Sequence, residues 1–353
     1  MLVFQEKPNH HYSMPFLDYL YRVCARENLT PEEAALAMDA ILSGEASPVQ
    51  IGAFLAALRT KGESPGEILG FARAMRARAA RVDAGLSGEP LVDTCGTGGD
   101  LSGTFNISTI AALVVAGAGV YVAKHGNRSL SSACGSADLM EALGVHIDLS
   151  PDAMGRCIRE VGIGFLFAPA IHAATRHAQP ARAALKMRTA FNLLGPLTNP
   201  AGASIQIAGA PSPEAAELMA EALAQLGLQR GFVVHGSDGL DEITTTGPTL
   251  AMEIFHGSVA RRTLTPEEFG IPPATPADLK GGSPAENAEL TLRILGGVRG
   301  PQRDVVLANA AAALLAAGKA RDFREGMRLA AESIDSGAAR RKLDALIAFT
   351  HSI

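Results

Sequence analysis

Cysteine is scarce in this chain. Its four copies, Cys24, Cys95, Cys134 and Cys157, form neither a C-x-x-C pair nor a cluster with metal-ligand spacing. That excludes a disulfide framework or a zinc module, and free thiols in a chain this long fit a reducing compartment. An excess of either charge is missing too: 31 Lys plus Arg stand against 36 Asp plus Glu, for a net charge of −5. No run of five like charges occurs, so there is no basic arm or acidic tail and no electrostatic footprint for nucleic acid or an anionic membrane. Long apolar runs are absent as well. The longest, Ile110 to Ala123, contains two glycines and stops at Lys124 and His125, too short to span a bilayer. The opening "MLVFQEKPNHHYS" has no apolar stretch of signal-peptide length. The expectation is a soluble, cytoplasmic protein. No internal repeat of solenoid period is visible.

What remains is a globular composition, 47% apolar and 19% charged over 353 residues, with room for about two domains. Residues 14 to 82 read as helical. "LTPEEAALAMDAILSG" offers Thr30 as N-cap, Pro31 at the first helical position, acids at Glu32 and Glu33, and Gly44 as a stop. Ser47-Pro48 to Gly62 and Ser64-Pro65 onward repeat the device, so a compact helical bundle is expected. From Leu91 the pattern changes to alternating strands and helices. "LVD", "VYVAK", "VHID", "IGFLFA", "SIQIAGA" and "GFVVHG" are separated by helical stretches, "LAMEIFHGSVARRTL" reads as a hairpin, and three helical segments from about Glu286 close the chain. This is the pattern of a mostly parallel sheet covered by helices.

Glycine crowds the turn after the first strand, in "LVDTCGTGGDLSGTFNISTIAALVV". A dinucleotide fingerprint starting at Gly96 would need glycine where Leu101 stands, and a phosphate loop starting at Gly98 would need lysine where Thr104 stands. Both templates fail on a residue their chemistry requires. A turn of small residues running into a helix N-terminus still directs backbone N–H groups at an anion. Thr97, Thr104, Asn106, Ser108 and Thr109 add more polar side chains than one cap uses.

The loop after the next strand, "AKHGNRSLSSACGSADLMEALG", opens on the same sheet edge, where ligands of open α/β sheets bind. Lys124 and Arg128 supply charge for phosphate, His125 and Asn127 stand beside them, and Ser129, Ser131, Ser132 and Ser136 supply hydroxyls. A third loop, "GFVVHGSDGLDEITTTG", carries the adjacent acids Asp241 and Glu242, which suit Mg²⁺ bridging to substrate phosphates. A fourth stretch holds His172, Arg176, His177, Arg182 and Arg188 near Asn192 and Asn199, cations able to hold a carboxylate or phosphate, or to pack at a domain boundary.

Together, "GTGGDLSGTFNIST", "KHGNRSLSSACGSADLMEALG", "RTAFNLLGPLTNP" and "DGLDE" resemble, in order and spacing, the anthranilate phosphoribosyltransferases, as do "FLAALRTKGESPGEI" and "ENAELTLRILGG". The resemblance covers all but about the first dozen residues. It implies a small N-terminal helical domain (1–88, joined by roughly 168–190) and a larger α/β domain (89–167 and 191–353) of the nucleoside phosphorylase and phosphoribosyltransferase type. Homodimers formed through the helical domain are usual in that family, and closure of the two domains is expected to bring the substrates together. The implied reaction transfers phosphoribose from phosphoribosyl pyrophosphate to the amine of anthranilate. By motif, Gly96, Gly99, Asp100, Thr104, Asn106, Ile107, Ser108 and Thr109 would contact phosphoribosyl pyrophosphate. Lys124, His125, Gly126, Asn127, Arg128, Ser129, Leu130, Ser131, Ser132 and Ser136 would join them. Gly96, Asn127, Arg182, His125 and His172 would line the anthranilate site, and Ser108, Asp241 and Glu242 would bind Mg²⁺. One departure is Ala133, where lysine is common in the family.

Two rival readings fit less well. Pyrimidine nucleoside phosphorylases carry a lysine-histidine-serine loop before their glycines, whereas "VDTC" stands here. A nucleic-acid-binding relative would need a basic surface and a degraded substrate loop, but this chain is acidic and keeps "KHGNRS".

Overall fold

The computed structural model describes residues 15–98, 103–129 and 133–353. Its first part is a bundle of helices Phe16–Cys24, Pro31–Ser43, Pro48–Lys61 and Pro65–Arg78. The last three start as their sequences predict. Thr30 Oγ1 accepts the Glu33 N–H while the Glu33 carboxylate accepts the Thr30 N–H, a reciprocal cap repeated by Ser47 with Gln50 and Ser64 with Glu67. Each such cap contributes about 1 kcal/mol. Glu67 does more. Fully buried, it also accepts the Leu29 N–H at 3.0 Å and the Lys61 ammonium at 2.8 Å, tying three segments of the bundle together.

The second part is built on strands β1 (Leu91–Gly96), β2 (Tyr121–Gly126), β3 (Ile163–Phe167), β4 (Ile205–Gly209), β5 (Arg230–Gly236), β6 (Thr249–Phe255) and β7 (Ser258–Leu264). They form one sheet in the order β3-β2-β1-β4-β5-β6-β7, parallel from β3 to β5 and antiparallel across the expected β6–β7 hairpin. The chain runs outward from β1 to β3, then returns to the other side of β1 with β4. That reversal puts the topological switch point between the C-terminal ends of β1 and β4, where ligands of such sheets bind.

One face of the sheet is covered by helix Ile107–Gly117 and by helices Pro301–Ala316, Phe323–Asp335 and Ala338–His351, all sharing one apolar cluster. Helix Ile107–Gly117 is buried almost all round, which is why its sequence shows a continuous apolar run instead of a stripe. On the other face, helix Pro213–Gln225 packs against helix Pro65–Arg78, so the bundle and the sheet share a second cluster. Helix Gln179–Leu185 lies on Pro48–Lys61, and the short turn Ala173–His177 lies on Pro31–Ser43.

Away from the site, two expectations differ from the structure. "VHID" alternates as a strand would, with Val145 and Ile147 buried and His146 and Asp148 exposed, but it joins no ladder. Its His146 N–H donates to Thr350 Oγ1 on the final helix. Four helices, not three, close the described chain, because Gly337 at φ +72° turns the backbone between Asp335 and Ala338 within what reads as one periodic run. Among the described residues no helix is long and apolar enough to cross a membrane.

Candidate active site

The switch point is closed by a backbone contact that only glycine permits. Gly96 and Gly209 sit side by side at the ends of β1 and β4. A β-carbon on Gly209 would overlap the Asp241 carbonyl oxygen, and one on Gly96 would lie 2.5 Å from Asp241 Oδ2. Their bare backbones let the acidic loop after β5 lean over the sheet edge. Strand β1 therefore runs one step into the glycine motif, farther than the "LVD" expected from the sequence.

In that position Asp241 Oδ2 accepts the Gly98 N–H at 3.0 Å and the Thr97 hydroxyl at 3.1 Å. Glu242 Oε1 accepts the Ser108 N–H at 3.0 Å, in the first turn of helix Ile107–Gly117. The acid pair thus joins the glycine turn to a helix N-terminus. Both carboxylates are buried, and burial, then the neighbouring Asp241 charge, pushes the Glu242 carboxyl up to about 8. Such a crowded pair of hard oxygen donors fits Mg²⁺, which takes one or two carboxylates and completes its shell from water and phosphate. Among the described residues no cluster of three or more His, Cys, Asp or Glu side chains forms a metal site by itself.

Beside the turn, Thr104 bridges to Lys280, and Gly281 N–H donates to the Gly103 carbonyl. The Asn106 amide donates to the Cys134 carbonyl and accepts from Asn287, so it links the glycine turn and the loop after β2 to a C-terminal helix. Ile107 turns its side chain into the core and its N–H is taken by the Phe105 carbonyl, leaving it nothing polar but a carbonyl to offer. Thr109 is buried with its hydroxyl unpartnered.

On β2, the Lys124 ammonium is buried and donates to the His125 carbonyl. Under it lies Asp93, fully buried, which accepts the His125 N–H at 3.1 Å and the Asn199 amide at 2.8 Å. Burial raises the Asp93 carboxyl above its usual range, against the opposing pull of the Lys124 charge. His125 Nδ1 meets the Gly195 carbonyl at 3.1 Å, which fixes the neutral tautomer with Nε2 as an acceptor. Its ring lies 5.2 Å from that of His172, and the Nε2 atoms of both are buried without a partner. Burial holds His125 down at about 3 and His172 at about 4. The helix just before Gly195, Phe191–Leu194, also carries the Phe191 ring over which the Arg182 guanidinium stacks at 5.0 Å. Arg182 and the two imidazoles are thus grouped around residues 191–195.

Other candidates are placed elsewhere. Arg128 pairs with Asp138 and Glu141 on helix Ser136–Ala142 and covers the Phe167 ring. Ser129 N–H donates to Asp138, while Ser136 Oγ exchanges hydrogen bonds with the Asn127 backbone. Gly126 packs directly on Phe165 and Ser136. Arg176 and Arg188 lie exposed, and His177 rests against Gly44 of the bundle. Gly99, Asp100, Leu130, Ser131 and Ser132 lie outside the described residues. Sequence reasoning missed Asp93, Asn287, Asp238 and Asn309. The only sign of Asn309 was a lone amide in the apolar run "VVLANAAAALL".

A helical bundle against a mostly parallel sheet, with a glycine turn and an acid pair at the switch point, is the architecture of a glycosyl transferase. The helical bundle domain of the glycosyl transferase family matches residues 17–79, and the a/b domain of that family matches residues 88–340. The anthranilate phosphoribosyltransferase of Solibacter usitatus is 62% identical across 96% of this chain and all of its own length. That of Moorella thermoacetica is 56% identical across 94% of this chain and 97% of its own. The crystal structure of the Thermus thermophilus anthranilate phosphoribosyltransferase superposes with a TM-score of 0.89 at 48% identity, covering 95% of this chain and 99% of its own. The Saccharomyces cerevisiae enzyme in complex with PRPP and Mg gives 0.88 at 29% identity, over 97% of this chain and all of its own. The chain belongs to the anthranilate phosphoribosyltransferase family.

Proposed function

We propose that this chain transfers phosphoribose from phosphoribosyl pyrophosphate to the amine of anthranilate, releasing pyrophosphate, as a step of tryptophan synthesis. The observation that carries the reading is the joining of the glycine turn to the Asp241–Glu242 pair at the switch point, with the neutral His125–His172 pair at the end of neighbouring β2. Yeast relatives bound to PRPP and Mg, and to 4-fluoroanthranilate, support the same ligand classes.

In the reaction the bond from ribose C1 to pyrophosphate oxygen breaks, a bond from C1 to the anthranilate nitrogen forms, and that nitrogen then releases one proton. Mg²⁺ held by Asp241, Glu242 and the Ser108 hydroxyl would offset the charge growing on the leaving group. In this reading the Gly96–Thr109 turn, with the Thr104, Ser108 and Thr109 side chains, lines the diphosphate and ribose, and Lys124 adds a buried positive charge. Gly99, Asp100 and the 129–132 stretch complete the sugar site in this reading. An aromatic amine is already a neutral nucleophile near pH 7, so orientation matters more than a strong base. Arg182 holds the anthranilate carboxylate, and Asn127 supports the same substrate. His125 Nε2, fixed as an acceptor, takes a hydrogen bond from the amine, with His172 alongside. Segment 168–190 goes with the bundle on which it packs. Exposed Leu17, Tyr21 and Val49 on the bundle suit a homodimer contact, to be tested by light scattering.

Anthranilate fluorescence is followed after mixing protein, Mg²⁺ and phosphoribosyl pyrophosphate. Signal loss that needs all three supports the reading. No loss, with the fold intact and the sugar substrate bound, means another amine is the acceptor.

A further inference from the structure

The acid pair is held from behind by a residue that touches no substrate position. Asn309 lies mid-helix in Pro301–Ala316, almost wholly buried among Val305, Ala308, Ala310 and Ala312. Its Oδ1 accepts the Ile243 N–H at 3.0 Å, and its Nδ2 donates to the Ile243 carbonyl at 2.9 Å and to the Val305 carbonyl at 2.9 Å. One side chain therefore satisfies both backbone groups of the residue that directly follows Asp241 and Glu242. Without it, both would be left unpaired in an apolar core, at a cost that favours moving the loop. Asp238 braces the loop on both sides of the acids: it accepts from the Leu240 N–H before them and from the Thr244 and Thr246 hydroxyls after them, and the Gly236 N–H donates to the Leu240 carbonyl. Between these anchors the Glu242 carboxylate must reach the Ser108 N–H, and Asp241 must reach Gly98.

We propose that Asn309 is a positioning residue for metal-dependent diphosphate binding, setting the Asp241–Glu242 carboxylates through a two-point clamp on Ile243. The proposal rests on the reading that this acid pair holds Mg²⁺. Supporting groups behind metal ligands typically govern roughly ten- to hundredfold in metal affinity. The effect is confined to metal and diphosphate, because His125 and Arg182 are anchored through residues 191–195 instead.

A matched control is built into the same fold. Asn287, also buried, clamps the other side of the site by accepting the Gly282 N–H and donating to Asn106. Asn309→Ala, Asn309→Asp and Asn287→Ala are compared with the wild type for the Mg²⁺ concentration giving half-maximal rate, and for the KM of each substrate. Folding is checked by circular dichroism and thermal melting. Asn309→Asp keeps the shape and the acceptor should the alanine variant fail to fold. The expected result is a half-saturating Mg²⁺ concentration raised about tenfold or more in a folded Asn309 variant, with anthranilate KM within about twofold and a much smaller Mg²⁺ shift in Asn287→Ala. An unchanged Mg²⁺ response in a folded Asn309 variant overturns the proposal, and so does an equal shift in both asparagine variants, which would mean general loosening. The double variant Asp241→Asn with Glu242→Gln separates the underlying reading: if it keeps the wild-type Mg²⁺ response, the metal assignment itself falls, whatever Asn309 does.

Discussion

The main chain of Asp241 fills the space that a side chain on Gly209 would occupy. A strand residue and a loop residue thus compete for one van der Waals volume at the strand end, and the acid pair owes its place to a missing methyl group. Gly209→Ala forces either β4 or the acidic loop to move, at about 1–3 kcal/mol for overpacking. Mg²⁺-dependent binding of phosphoribosyl pyrophosphate, read by calorimetry, is expected to drop by at least about tenfold while the protein still melts cooperatively. Wild-type binding in a folded Gly209→Ala protein would show that the close approach is incidental.

Arg182→Ala removes the cation proposed to hold the anthranilate carboxylate. A charge-assisted hydrogen bond contributes about 1.5–3 kcal/mol, so anthranilate KM is expected to rise roughly ten- to hundredfold. The KM for phosphoribosyl pyrophosphate stays near its original value. Equal losses for both substrates would refute the assignment.

Glu242 gives stability and function opposite signs. Its folded carboxyl sits at about 8, above the ordinary 4.5, because burial and Asp241 disfavour its charge. The folded state then binds more protons than the unfolded one between those values, so this group's contribution is complete below about 4.5 and fades as pH rises through 8. Glu242→Gln is therefore expected to melt higher than wild type at pH 8.5 and to lose Mg²⁺ dependence. Thermal melts from pH 5 to 9 test this, and a wild type that gains on the variant as pH rises would contradict it.

The imidazoles predict the reverse slope. With His125 at about 3 and His172 at about 4, both below 6.5 through burial, the unfolded chain binds more protons between those values. Stability from this pair is complete above 6.5 and is lost as pH falls toward 4. Replacing both by asparagine flattens the acid limb of the melting curve. In the wild type, the rate profile shows no ionisation of this pair near 6.5, since both rings stay neutral there. A histidine NMR signal from either ring titrating near 6.5 would disprove it.

Local signals made much of this legible. Thr30-Pro31-Glu32-Glu33 names a helix start through chemistry that acts over three residues, and the structure realises it in hydrogen bonds. The glycine turn reads as an anion site, and in the structure its Gly98 N–H and the Ser108 N–H of the following helix are taken by Asp241 and Glu242. Partners distant in sequence were silent. Asn309 acts on Ile243 from 66 residues away, and Asn287 reaches Asn106 across 181. Arg128 read as a phosphate ligand because its acids, Asp138 and Glu141, become neighbours only when the next helix turns back. "VHID" had a strand's alternation, but its N–H partner is a threonine near the chain's end. Asp93 looked like an ordinary strand residue, since nothing local shows that Lys124, His125 and Asn199 converge on it.

The apolar cluster that runs from the bundle through helix Pro213–Gln225 onto the sheet also bears on how the molecule comes apart. Met75 of the bundle and Leu223 beside the sheet belong to a single dry interior, so neither half has a finished core of its own on that side. Heat or urea then meets one cooperative unit instead of two beads on a string. Any motion between the halves has to proceed as a sliding of packed surfaces, with side chains changing places in register, since a wide swing would flood that interior with water.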